Sequence, residues 1–188
     1  MANMNPDPEL EKRLQFLRNA KVEEKDHWDC TLYEHLLGVR QLLLDLGARP
    51  ALADAGLFHS VYGTETFHEI SIPLSMRPQL QALIGEEAEQ AAWLFGSIRR
   101  ETLDGNIGQT TDIAVQHRVS GDWLPLTRAE FLDQVNLLFI NELEIYPRMS
   151  WKSRRWSKNY LRQFLPIVLP KAQEAFKKLS PPWWCFWK

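Results

Sequence analysis

Two cysteines among 188 residues, Cys30 and Cys185, are too few and too far apart for a disulfide framework or a zinc knuckle. No run of about 18 apolar residues occurs. The opening stretch MANMNPDPELEKRL also lacks the charged-then-apolar layout of a signal peptide. These absences point to a reducing, cytoplasmic setting with no membrane association. A Gly-rich phosphate loop, a G-x-S-x-G elbow and an H-E-x-x-H helix are all missing, which excludes the common nucleotide-loop, serine-hydrolase and zincin chemistries. Internal repeats, low-complexity segments and linkers are absent too, so one domain is expected.

Net charge is scarce, at −2, but it is unevenly placed. From Arg148 onward ten Lys/Arg face a single acid, Glu174, whereas residues 1–147 hold twelve Lys/Arg against twenty-three acids. An acidic body therefore carries a basic end. A hydrophobic content of 45% is ample for a core.

The patterning that is present is helical. Asp7 before Pro8 marks a helix start. Thr31 with Glu34 forms a capping box, followed by an apolar stripe through Leu32, Leu36, Val39, Leu43 and Leu46 that Gly47 ends. A further helix starts at Pro50 and runs to Gly63, with Ala51, Ala53, Ala55 and Gly56 permitting a close helical neighbour. Two more are expected over 78–84 and 86–100. After Gly105 the periodicity changes, and TTDIAVQHRVSGDWLPL predicts a small β-hairpin near 110–126 with its turn around Ser120–Asp122. A second capping box, Thr127 and Glu130, opens a helix reaching Tyr146 before Pro147. The last helical region, 158–179, must break or kink at Pro166 and Pro170. The expected fold is mainly α, with an N-terminal helix or arm over 1–24, a helical core over 25–147, and a basic aromatic helix and docked tail over 148–188 in the same domain.

His35 and His59 fall on the inner seams of consecutive helices, so antiparallel packing would bring their rings to one place. His59 ends its helix within GLFHSVYGTETFHE, where Ser60, Tyr62, Thr64, Glu65 and His68 surround it. This cluster has the residue types for acid-base chemistry without a metal. The alternative is a capped turn around Gly63. His27 and His117 are expected to be exposed.

A helix-borne His, then AGLFH, LIGEEAEQAAWLFGSI and a late helix bearing LLFINELEI resemble the HD-domain superfamily from Leu32 to Tyr146. LFHSVYGTE is similar to a group of small HD-like domains, and more distantly to the (p)ppGpp hydrolase domain. The resemblance implies an HD-like helical fold and metal ligands at His35, at the pair His59–Ser60, and at Asn141. The family's two acids are thus replaced by Ser60 and Asn141, and the hydrolases' further acidic pair falls on Gly63 and Thr64. Two neutral imidazoles and an amide compensate a divalent cation poorly. Without a bound cation, water keeps its high pKa. Glu65, Asp133, Glu142 or Glu144 would have to substitute, and helix direction turns Glu34 and Glu142 away.

The leading expectation is an HD-like enzyme of small-molecule metabolism in a metal-poor pocket. Its catalytic candidates are His35, His59, Tyr62, Glu65 and His68, and its substrate-binding candidates are Ser60, Thr64 and Asn141. The alternatives are a catalytically inactive ligand- or partner-binding module, and a phosphohydrolase or oxygenase holding Fe or Mn on His35 and His59. RMSWKSRRWSKNYLRQFL interleaves cations and aromatics, but Trp156, Tyr160 and Phe164 at four-residue spacing favour a helix packed on the domain over a nucleic-acid surface. Its cations leave an anionic small molecule as a ligand class. SPPWWCFWK concentrates apolar area and is expected to dock on the domain, on a second copy in a homodimer, or on a partner.

Overall fold

Asp7 caps the first helix by accepting from Glu9 N at 3.1 Å, and Pro8 occupies the first helical position of α1 (Pro8–Asn19). The computed structural model describes residues 7–27 and 29–179. The expected docking of Pro181–Lys188, and any dimer built on it, concern a segment outside the described residues, as does the side chain of His27. A short ladder pairs β1 (Asp26–His27) with β2 (Cys30–Thr31), too brief to leave an alternation in the sequence. The capping box at Thr31 and Glu34 then opens α2 (Leu32–Asp45), whose Leu32, Leu36, Val39 and Leu43 are buried.

α3 (Pro50–Phe58) is buried continuously from Leu52 to Phe58. It lies so close to α2 that a Cβ on Gly56 would collide with Leu43 and crowd Val39. Asp54 is neutralised inside by Arg13 of α1 and Arg40 of α2, at 3.1 and 3.2 Å, which ties the N-terminal helix to the core. The helix stops at Phe58, short of the expected Gly63. His59 to Gly63 instead form a turn that ends at Gly63 with φ +73°, a left-handed value that favours glycine.

α4 (Arg77–Ile84) and α5 (Glu86–Ser97) follow. The second ends before the expected Arg100, because Ile98 leaves the helix to bridge His117 and a new short helix, α6 (Arg100–Asp104), begins. β3 (Ala114–Gln116) and β4 (Trp123–Pro125) form the antiparallel hairpin within the expected 110–126. His117 is half-buried and stacks on Trp93 at 6.1 Å, contrary to the exposed position expected of it. The second capping box opens α7 (Arg128–Ile145), buried without interruption from Gln134 to Leu143. Packing against α2, α3 and α5 hides nearly its whole circumference, the condition in which a helix loses a polar face.

The helix of the basic end begins before the expected 158, at the Ser150 cap of α8 (Trp151–Leu161), and Pro170 starts α9 (Pro170–Lys177) after an irregular stretch. Of the aromatic stripe, Phe164 is buried and Tyr160 donates to Asp104 at 2.9 Å, but Trp156 is 63% exposed and only stacks on Tyr160. The fold is mainly α with a small hairpin. Among the described residues no helix is long and apolar enough to cross a membrane.

One buried charge braces α4 on α5. Glu89 has no exposed surface and accepts from Arg77 Nε at 2.7 Å, Tyr62 Oη at 2.9 Å and Gln81 Nε2 at 2.9 Å. Burial pushes its carboxyl up, but the three donors outweigh burial and hold it below the usual carboxylate range. Arg77→Ala leaves that charge without its counter-ion, and urea unfolding should show a loss of about 3–5 kcal/mol.

Candidate functional site

α2, α3 and α7 bring His35, His59 and Asn141 together. His59 Nδ1 lies 2.7 Å from the Gly56 carbonyl, an acceptor only, so this nitrogen carries a proton. His35 Nδ1 lies 2.5 Å from Glu144 Oε2, and Arg148 donates to the same oxygen. Burial pushes Glu144 up, but the bonds from His35 and Arg148 prevail and hold it low, so the carboxylate is ionised and His35 Nδ1 is a donor. The two Nε2 atoms then face each other at 3.3 Å, with Asn141 Oδ1 at 3.1 Å from that of His35. A hydrogen bond between the rings needs one Nε2–H, and on His35 such an N–H would point at both His59 and Asn141, on the side of the ring opposite Glu144.

The two distances from His35 Nε2, 3.3 and 3.1 Å, are those between adjacent ligands of one cation, but none of the three groups is anionic and Glu144 is on the far side of the His35 ring, so they compensate a divalent charge poorly. Among the described residues no group of three or more His, Cys, Asp or Glu side chains converges for metal binding.

In front of this pair is a cavity of about 460 Å³ between the 60–67 turn, α7 and α8. Ser60, Thr64 and Asn141, the three substrate-binding candidates, line it. The histidines do not: both are buried one layer behind, His35 against Asn141 and His59 edge-on against the cavity-lining Phe95 at 5.0 Å. Thr64 Oγ1 accepts from Thr66 N and Phe67 N at 3.3 and 2.9 Å, which closes the turn and puts both residues on the wall.

The other candidates are elsewhere. Tyr62 is locked on Glu89, and burial followed by that hydrogen bond raises its phenol far above the ordinary range. Glu65 accepts from Arg100 N at 3.0 Å and caps α6. It joins the exposed His68 in a separate surface groove with Arg99 and Arg118.

Residues 16–100 match a family model described as a domain of unknown function (DUF6817). No curated protein and no solved structure matches the chain. The matched span includes His35 and His59 and ends before Asn141, so the second half of the site comes from outside it.

Sequence reasoning gave Arg100 and Lys152 no place in the site and weighed Glu142 only as a substitute ligand, yet all three are on the cavity wall. Glu142 accepts from Ser157 Oγ at 3.0 Å and faces Arg100 Nη1 at 3.8 Å, although helix direction was expected to turn it away. Because α7 is enclosed on nearly all sides, Asn141 and Glu142 both meet interior groups. Burial raises the Glu142 carboxyl, opposed by Arg100 and Ser157. Of the acids weighed as substitute ligands, Asp133 pairs with Arg49 at the surface. The signal for Glu144 was its spacing, with Arg148 four residues on.

Gly38 makes room for Glu144: a Cβ there would stand 2.7 Å from Glu144 Oε1. Gly38→Ala should therefore destabilise the protein despite a helix-propensity gain of about 1 kcal/mol. In a Glu144→Ala background the same change should stabilise it, and chemical unfolding of the cycle should give a coupling of about 1–3 kcal/mol. The Glu144 pKa is depressed on folding, so its stabilisation is present above the ordinary glutamate value of 4.5 and lost as pH falls through the lower folded value. Glu144→Gln should flatten that acid limb of stability against pH.

Proposed function

We propose that this chain is an HD-like enzyme of small-molecule metabolism whose chemistry depends on a buried, proton-sharing histidine pair in place of a bound metal. The observation that carries this reading is the contact of His35 Nε2 with His59 Nε2 at 3.3 Å, directly behind the Asn141 wall of the cavity. His35 holds Asn141 Oδ1, which leaves the amide N–H groups to serve the cavity side. An amide whose oxygen is held by an imidazole ring from behind is suited to donate to a substrate oxygen on which negative charge develops. Ser60, on the same wall, supplies a hydroxyl, and the Glu142 carboxyl supplies an acid-base group. His35 and His59 act through Asn141 as positioning residues, since neither reaches the cavity itself.

The HD relationship rests on the order of the motifs and on the meeting of His35, His59 and Asn141, which the resemblance required. The rival reading is a binding module without turnover. Incubation with a mixture of small metabolites, followed by mass spectrometry, separates the two. Depletion of a compound by the wild type but not by His59→Gln or Asn141→Ala is expected, whereas a compound that is enriched on the protein and never consumed favours the module. The state of the rings is tested by ¹⁵N NMR, with both His35 nitrogens and only Nδ1 of His59 expected to be protonated. Stoichiometric Mn²⁺ or Fe²⁺ binding that is lost in His59→Gln would replace the shared proton with a metal.

A further inference from the structure

We infer that the cavity takes an amphipathic monoanion, an acid with a single charged group and an aryl or alkyl body, with its charge on Arg100 and Lys152 and its body against Phe95, Ile145, Met149 and Trp156. This inference rests on the proposed function and names its substrate class.

Arg100 is the principal observation. Its side chain is only 23% exposed, yet its guanidinium makes no hydrogen bond among the described residues and meets a carboxylate only at 3.8 Å, too far for a hydrogen bond. Its guanidinium carbon lies 5.7 Å from the centre of the Phe95 ring, so the cation borders an apolar part of the wall. Five N–H donors, half-buried and unused beside a cavity, suit a carboxylate or a similar planar anion. Lys152, from α8, adds a second cation on the same wall and has no ion pair among the described residues.

Charge and shape then select the class. Two cations set against Glu142 leave the wall about one to two charges positive, enough for one acid group. A polyphosphate, with several charges, would meet too few cations and would face Glu142 directly. The rest of the wall is largely hydrocarbon and ring, and Trp156 is held stacked on Tyr160 at 5.1 Å with its planes 10° apart, a rigid exposed aromatic at the mouth. A volume of about 460 Å³ fits a small organic acid.

The test is binding, with no catalytic readout, so its failure is distinct from failure of the enzyme reading. Calorimetry and tryptophan fluorescence would compare phenylacetate, 4-phenylbutyrate and octanoate with 4-phenylbutyramide, inorganic phosphate and ATP. At least one organic acid should bind, and its neutral amide should bind about tenfold more weakly. Arg100→Gln and Lys152→Gln should each weaken the acid, and Trp156→Ala should weaken the aryl acids. Glu142→Gln, which removes the carboxylate competing for Arg100, should tighten them. Glu87→Gln, on the surface beside Arg49 and away from the cavity, should leave binding intact, and melting curves confirm that each variant is folded. No binding of any organic acid at millimolar concentration, tighter binding of phosphate or ATP, or equal binding of acid and amide would each overturn the inference.

Discussion

The Glu144 carboxylate is the charge about which three helices are arranged. It projects from α7, receives Nδ1 of His35 on α2, and through that ring fixes the contact with His59 at the end of α3. Even a partly buried carboxylate is costly to desolvate, and this one is held because His35 and Arg148 both donate to it. Gly38 is the steric counterpart, since any side chain there would fill the space that the carboxylate occupies. Charge, hydrogen bonding and close approach therefore specify one relative placement of α2, α3 and α7.

The cavity follows from that placement. Once α7 is fixed, Asn141 and Glu142 present different groups to the same space: an amide held from behind by His35, and a carboxyl held by Ser157 of α8. The turn from His59 to Gly63 and the Thr64 cap close one side, and α8 closes the other with Lys152 and Trp156. The wall is thus polar at one end, where helices meet through hydrogen bonds, and apolar along its length. Such polarity within one cavity supports an amphipathic ligand, and it makes the basic, aromatic α8 part of the pocket as well as a solvated face.

Much of the architecture was legible in local pattern. Both capping boxes, the buried stripe of α2 and the hairpin near 110–126 depend on residues close in sequence, and each is present. The helix ends that shifted, at Phe58 and Ser97, did so because His59 and Ile98 take partners from distant segments: His59 meets His35, and Ile98 bridges His117. The basic end was misjudged for the same reason. Four-residue spacing placed Trp156 on an inward stripe, but the groups that fill the interior there are Phe164 and Tyr160, which leaves Trp156 outside.

The sequence by itself determined that His35 lies on the inner seam of α2 and that His59 closes the buried end of the next helix, because helical period and capping are properties of short windows, whereas Asn141 was reached only through the family resemblance. Only the tertiary structure decided which groups those histidines would face. Tyr62 and Glu65, neighbours of His59 in the chain, turn to Glu89 and to the start of α6, whereas Glu144, 109 residues from His35, is its partner at 2.5 Å. A side chain's chemistry depends on desolvation and on donors within about 3 Å. Those are set by helices meeting across the core, at sequence separations where local pattern carries no information.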